Sequence, residues 1–267
     1  MHVYISVDME GVAGVATKEQ VLPGGSGYAR AQALMTREAN AAIAGAFNGG
    51  ATKVTVNDSH GPMDNLLHDE LDERARVVVG RPKAHGMVNG VTSDVDLAMF
   101  VGYHAAGGQI GVLAHSFSSA AFAEIRLNGE IASELRINSL FAAGCGVPTV
   151  LVSGDDVICA EARNVYPTVT AVEVKTVEGF TAANSMHPTA ACAAIRQASE
   201  QAVRYGEHPV LDIPDRLLLE AEMTSATGAE LASYVPGATR TGTRTVMREV
   251  DSPQELIGLI SVWAKLG

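Results

Sequence analysis

The first apolar run of the chain, residues 3–7 (V-Y-I-S-V), stops abruptly at Asp8-Met9-Glu10. A short run without charge, bounded so sharply, reads as a strand buried on both faces, the kind that parallel sheets contain. A Gly-rich loop (Pro23-Gly24-Gly25-Ser26-Gly27) leads into residues 29–47, where Ala33, Leu34, Ala41 and Ala44 recur at helical spacing. Asn48-Gly49-Gly50 supplies a C-terminal stop for that helix. Residues 53–57 (K-V-T-V-N) form the next strand and close a βαβ unit with a right-handed crossover. Further strand signals at 76–80, 96–103, 124–128 and 148–153, with a helical pattern from about 131 to 143, extend the alternation. After about residue 165 the pattern changes to strands at 170–175, 216–222 and 244–250, interleaved with helices near 188–205 and 252–266. The expected fold class is α/β. A parallel-rich sheet with flanking helices fills an N-terminal part, 1–165, and a smaller α+β segment, 166–267, packs on it or completes it.

Composition agrees and excludes other classes. With 47% hydrophobic residues, 27 glycines and 5% aromatics, 267 residues can bury an aliphatic core, which rules out disorder or a disulfide-stapled miniprotein. A net charge of −11 repels phosphate backbones, so nucleic acid is not an expected partner. Cys145, Cys159 and Cys192 sit in Ala/Gly/Val-rich contexts and read as small buried hydrophobes in a reducing compartment. No basic segment precedes residues 3–7, and the longest apolar stretch, 140–153, is broken by Gly144, Gly146 and Pro148. The expectation is a cytoplasmic protein with no membrane partner.

Chemistry gathers at the strand ends. The first strand ends in Asp8-Met9-Glu10, the second in Asn57-Asp58-Ser59-His60, and the strand at 96–103 in Gly102-Tyr103-His104. Ligands of open parallel sheets bind beyond the carboxyl ends of the strands, so these residues would meet on one rim. Asp8 and Glu10, two apart, would project to the same side if the backbone stays extended. Two carboxylates on one face repel unless a cation sits between them, and imidazoles from two other strands complete a mixed ligand set suited to zinc. Glu130 and Glu134, read as one turn apart on a helix after Gly129, both offer a further carboxylate. Two metals bridged by a carboxylate would then share five protein ligands. His115 reads as a general acid/base, a transition-state stabiliser, a nucleophile or simply a hydrogen-bonded loop histidine. Ser116, Ser118 and Ser119 lack the G-x-S-x-G elbow of a serine hydrolase and read as turn residues. Asp155-Asp156 reads as support or a helix cap, and His2, His68, His85, His187 and His208 as structural.

Six motifs occur in order: Ser6-Val7-Asp8-Met9-Glu10-Gly11, Val56-Asn57-Asp58-Ser59-His60, Gly102-Tyr103-His104-Ala105, His115-Ser116, Asn128-Gly129 leading to Ser133-Glu134-Leu135, and Ser153-Gly154-Asp155-Asp156. Together, with Pro236-Gly237 and Thr241-Gly242-Thr243 further on, they closely resemble the DppA-type D-aminopeptidases, the M55 family of zinc metallopeptidases. The resemblance implies two zinc ions held by Asp8, Glu10, His60, His104 and Glu134, and so selects Glu134 over Glu130. It implies a catalytic role for His115, a short peptide substrate cut from its free N-terminus with D-residue preference, and a homodecamer of two stacked pentameric rings. Gly61-Pro62-Met63-Asp64 and the loop 105–111 look locally different from the family pattern. From the residues alone, a dinuclear phosphoesterase and a non-catalytic dipeptide-binding protein are the alternatives; against the first, no basic residue flanks the motif strand ends, Arg81 and Lys83 being nearest.

Overall fold

The structure is a computed structural model and describes residues 1–166 and 168–267. In chain order the elements are β1 (His2–Val7), α1 (Lys18–Val21), α2 (Tyr28–Gly49), β2 (Lys53–Asp58), β3 (Arg76–Val78), β4 (Leu97–Tyr103), β5 (Phe122–Leu127) and β6 (Glu130–Ile131). They continue with α3 (Glu134–Gly144), β7 (Thr149–Asp155), α4 (Asp156–Val165), β8 (Thr170–Gly179), β9 (Ala182–Ser185) and α5 (Pro188–Arg204). The last are β10 (Leu217–Met223), α6 (Ala226–Ser233), β11 (Thr239–Arg240), β12 (Thr245–Val250) and α7 (Pro253–Trp263).

A seven-stranded sheet runs in the order β3-β2-β1-β4-β7-β8-β9, parallel throughout except for the edge strand β9. Every residue of β1 is buried, because the strand alternates between two cores. Val3, Ile5 and Val7 pack with α2 and α5 on one face; Tyr4 joins Phe100, Tyr103 and residues of α3 and α7 on the other. Aliphatic strands between helical layers explain how so few aromatics suffice.

A second, antiparallel sheet in the order β11-β12-β10-β5-β6 covers part of that second face. It takes β5 and β6 from before residue 165, while β8 and β9, after it, extend the parallel sheet. The sequence-derived strands and helices recur with ends shifted by a few residues, with one substantive difference. Glu130 does not lie on a helix. Asn128 and Gly129 both adopt positive φ, at 55° and 86°, and turn the chain into a hairpin in which Glu130 pairs with Leu127. The helix begins only at Glu134, behind the N-cap Ser133, whose hydroxyl accepts from the Arg136 amide. Cys159 is buried as expected, but Cys145 and Cys192 are only partly so, and all three are free thiols. Among the described residues no helix is long and apolar enough to cross a membrane.

Candidate metal centre

Sheet register decides where the acids and imidazoles go. In the registers of β1 with its neighbours, Val7 is level with Asp58 of β2 and Val101 of β4, so all three strands end at one rim. The Asp8 amide continues the pairing to the Val101 carbonyl, 2.8 Å, and the Gly11 amide reaches the Gly102 carbonyl, 2.8 Å. This approach is possible because Gly102 has φ +73° and no Cβ; a methyl group there would lie 2.3 Å from the Asp8 carbonyl oxygen. Asp8 and Glu10 lie beyond the strand, and a turn closed by the Val12 amide on the Met9 carbonyl carries Glu10, so the two converge through a bend and not through extended backbone.

The structure brings together Asp8, Glu10, His60, His104, Glu134 and His115. Asp8 lies in the middle, with Oδ1 3.4 Å from His60 Nδ1 and Oδ2 3.4 Å from His104 Nε2. Glu10 Oε2 is 2.9 Å from the same His60 nitrogen, and Glu134 Oε2 is 3.7 Å from the same His104 nitrogen. Two half-sites result, each with one imidazole, one glutamate and one oxygen of the shared aspartate. His115 stacks on His104, ring centroids 4.6 Å apart, with Nε2 3.9 Å from Glu134 Oε1. Glu130, on β6, is exposed and takes no part in these contacts.

Each histidine is held in one tautomer from behind. His60 Nε2–H donates to the Val21 carbonyl at 2.7 Å, His104 Nδ1–H to the Ala105 carbonyl at 2.9 Å, and His115 Nδ1–H to the Leu113 carbonyl at 2.9 Å. The opposite nitrogen of each ring therefore turns a lone pair toward the carboxylates, the arrangement by which metal-ligating histidines are oriented. His104 Nε2 is buried and has no hydrogen-bond partner. A lone pair and carboxylate oxygens aimed at a common point, in a buried space, need a cation between them.

The protonation pattern expresses the same demand. Burial alone would raise the Asp8 and Glu10 carboxyls, yet the imidazoles of His104 and His60 hold Asp8, and that of His60 holds Glu10, below the ordinary range. Burial opposes charging of the imidazoles, yet Glu10 and Asp8 raise His60, and Glu134 and Asp8 raise His104 to about 10. Burial lifts Glu134 to about 8. Burial, then the neighbouring His104 charge, lowers His115. The buried carboxylates thus favour positive charge where the imidazoles face them, a demand that a divalent ion can meet, so the donor set fits zinc.

Second-tier contacts fix the loops. Asp58 accepts from the Leu66 amide at 2.7 Å and from the Asn65 amide and side chain, and Asn65 Nδ2 donates onward to the His60 carbonyl at 2.7 Å. Asp155 caps α4 through the Ile158 amide, 2.8 Å, while its other oxygen accepts from the Ala105 amide, 3.1 Å, beside His104. Ser116 and Ser118 serve turns, the Ser118 amide closing on the Ser116 carbonyl at 2.7 Å.

The cluster opens into a cavity of about 1160 Å³, whose lining includes Lys18, Arg81, Lys83, Phe180 and Lys265. The expectation that no basic residue flanks the motif strand ends is corrected by this lining. Lys83 Nζ donates to the Asp58 carbonyl at 2.6 Å and to Asn57 Oδ1 at 2.8 Å, at the end of β2, and Arg81 Nη1 donates to the Gly61 carbonyl at 3.1 Å. Burial brings the Lys83 ammonium down to about 8. Residues 81–83 follow a different strand, and only the fold of the loop after β3 turns them back onto β2; a lysine–aspartate sequence separation of this kind carries no local signal.

A parallel sheet with a histidine–carboxylate cluster and an adjoining cavity at its carboxyl rim defines an α/β metallohydrolase. The family model described as D-aminopeptidase, peptidase family M55, matches residues 1–262. The chain belongs to that family. A D-aminopeptidase from Bacillus subtilis (strain 168) is 34% identical over 268 residues, spanning 100% of this chain and 97% of that protein. A solved structure described as the Zn-dependent D-aminopeptidase DppA from Bacillus subtilis, a self-compartmentalizing protease, matches with a TM-score of 0.95 over 100% of this chain and 97% of that one, at 34% identity.

Proposed function

We propose that this protein is a dinuclear zinc aminopeptidase that removes D-residues from the free N-terminus of di- and tripeptides, working as a homodecamer in the cytoplasm. The observation that carries the metal assignment is Asp8, which turns one carboxylate oxygen toward each of two half-sites, Glu10 with His60 and Glu134 with His104. These five residues would hold the two ions, which when bound supply Lewis-acid polarisation of the scissile carbonyl and activation of water near neutral pH. The zinc dependence and self-compartmentalization of the structural relative support the metal and the closed assembly.

The chain's own residues do the rest. The carboxylate wall attracts the α-ammonium group of the substrate and sets its N-terminus at the cluster. His115, braced at Nδ1 by the Leu113 carbonyl and kept neutral by burial, presents Nε2 for the proton that must reach the leaving amine. Arg81 and Lys83, one loop away from His60, fit the free carboxylate at the other end of a short peptide. The test is metal analysis followed by a panel of D- and L-aminoacyl dipeptides. Two zinc ions per chain and turnover of D-alanyl dipeptides are expected. A metal-free active protein overturns the reading, and hydrolysis of nitrophenyl phosphate in place of peptides would restore the phosphoesterase alternative.

A further inference from the structure

Lys175, on β8, is buried to 2% exposure and belongs to none of the six motifs. An ammonium group has three N–H donors and no acceptor. All three of its donors go to one loop: the carbonyls of Glu10, of Val12 at 3.1 Å and of Val15 at 2.6 Å. Among the described residues no carboxylate lies within ion-pair distance of Nζ. A charged group in such a place costs desolvation energy that no direct salt bridge offsets, and one of the three carbonyls it serves belongs to Glu10 itself.

The same loop is gripped from two other elements. The Ala13 amide donates to Glu38 Oε1 on α2 at 2.9 Å, and the Gly14 amide to Ser185 Oγ on β9 at 2.8 Å. The carbonyls are thus gathered by one lysine, while two amides are tied to a helix and an edge strand. A loop of seven residues between Met9 and Val15 leaves β1 with no regular structure of its own, yet it must hold the Glu10 carboxylate 2.9 Å from His60.

We infer that Lys175 is a positioning residue for the metal centre, which fixes the main chain of residues 10–15 so that Glu10 and Asp8 meet His60 before any ion arrives. The inference rests on the zinc reading above and adds a residue that touches neither metal nor substrate. Partners that orient ligands in this way are typically worth 10–100-fold in metal affinity.

The test uses the whole chain described here and Lys175→Met, which keeps most of the length of the apolar stem and removes the donors. Zinc affinity is read by competition with a chromophoric chelator, and hydrogen exchange of amides 11–16 is read after the metal is stripped. The expected result is zinc binding at least about tenfold weaker, with faster exchange confined to that loop and the amides of β1 and β4 unaltered. Zinc affinity within about twofold of wild type, in a folded variant, overturns the inference whatever the exchange does. Should Lys175→Met not fold, Lys175→Gln, which retains two N–H donors, is read the same way: a three- to tenfold loss supports it and no loss overturns it. A wild-type chain that binds no zinc overturns the inference together with the function on which it rests, and is recognised before any variant is compared.

Discussion

At the scale of single residues, the stacked pair His104 and His115 separates two kinds of role. Each is held by a backbone carbonyl, but only His104 aims its free nitrogen at Asp8. On the proposed dinuclear reading, replacing His104 with Ala should abolish metal binding and activity together, whereas His115→Ala should keep both ions while kcat falls by about 10²–10⁴. Elemental analysis beside steady-state kinetics distinguishes them, and loss of zinc from His115→Ala would move His115 among the ligands. Glu38 provides a pH prediction away from the cluster. Burial raises its carboxyl from 4.5 to about 7, so the folded chain holds this proton more tightly than the unfolded chain. Its contribution is therefore fully present below about pH 4.5 and lost as pH rises through about 7. Glu38→Gln keeps an acceptor for the Ala13 amide and removes that loss, so its stability relative to wild type should improve between those limits, by up to about 3 kcal/mol, as urea denaturation would measure. Asp8, Glu10, His60 and His104 were legible in the sequence because each follows a strand end, whereas Glu134 was singled out from Glu130 only by the family resemblance. Lys175 and Glu38 were not. A lysine on an alternating strand and a glutamate on a helix ordinarily face water, and only the packing of the loop 9–15 against both elements buries them.

At the scale of elements, the rim is set by how closely β1 and β4 approach beyond their last paired residues. Gly102→Ala would force a methyl group into the Asp8 carbonyl and strain a positive φ, so it should cost more than about 2 kcal/mol and loosen zinc binding as well. Thermal unfolding with and without zinc would register both effects. Ser133→Ala removes the cap that starts α3 at Glu134 and should cost about 1 kcal/mol, with a measurable fall in metal affinity because the capped turn carries Glu134, a proposed ligand. The extent of that helix was misjudged from sequence for a physical reason. Asn128-Gly129 is a tight-hairpin signal, and the two-residue strand it creates is too short to leave a periodic trace. Strands buried on both faces were easily read, since an uninterrupted apolar run has few other destinations. Which elements pair in the second sheet was hidden, because antiparallel partners as distant as β5 and β10 are chosen by the surface they cover together.

At the scale of the whole molecule, ten chains of 27.8 kDa would give the proposed assembly a mass of about 278 kDa. Ile110 is 87% exposed and Tyr234 68% exposed, apolar surface that a closed assembly can cover. Light scattering should report that mass at working concentration, and a stable monomer would sink the proposed decamer. If residues 81–83 receive the substrate carboxylate, D-alanyl dipeptides should be cut with higher kcat/KM than their C-terminal amides, and Arg81→Gln should narrow the gap about tenfold. The strand order has one more consequence, in time. β1 is made first but lies between β2 and β4, and its ligand loop is locked by a lysine 165 positions later in the chain. During synthesis the acidic turn precedes Lys175 by most of the chain and stays without that lysine until β8 has been added. If Lys175 positions the metal centre as inferred, that centre is therefore completed late in the making of each chain, and zinc should bind more weakly to a chain that still lacks β8.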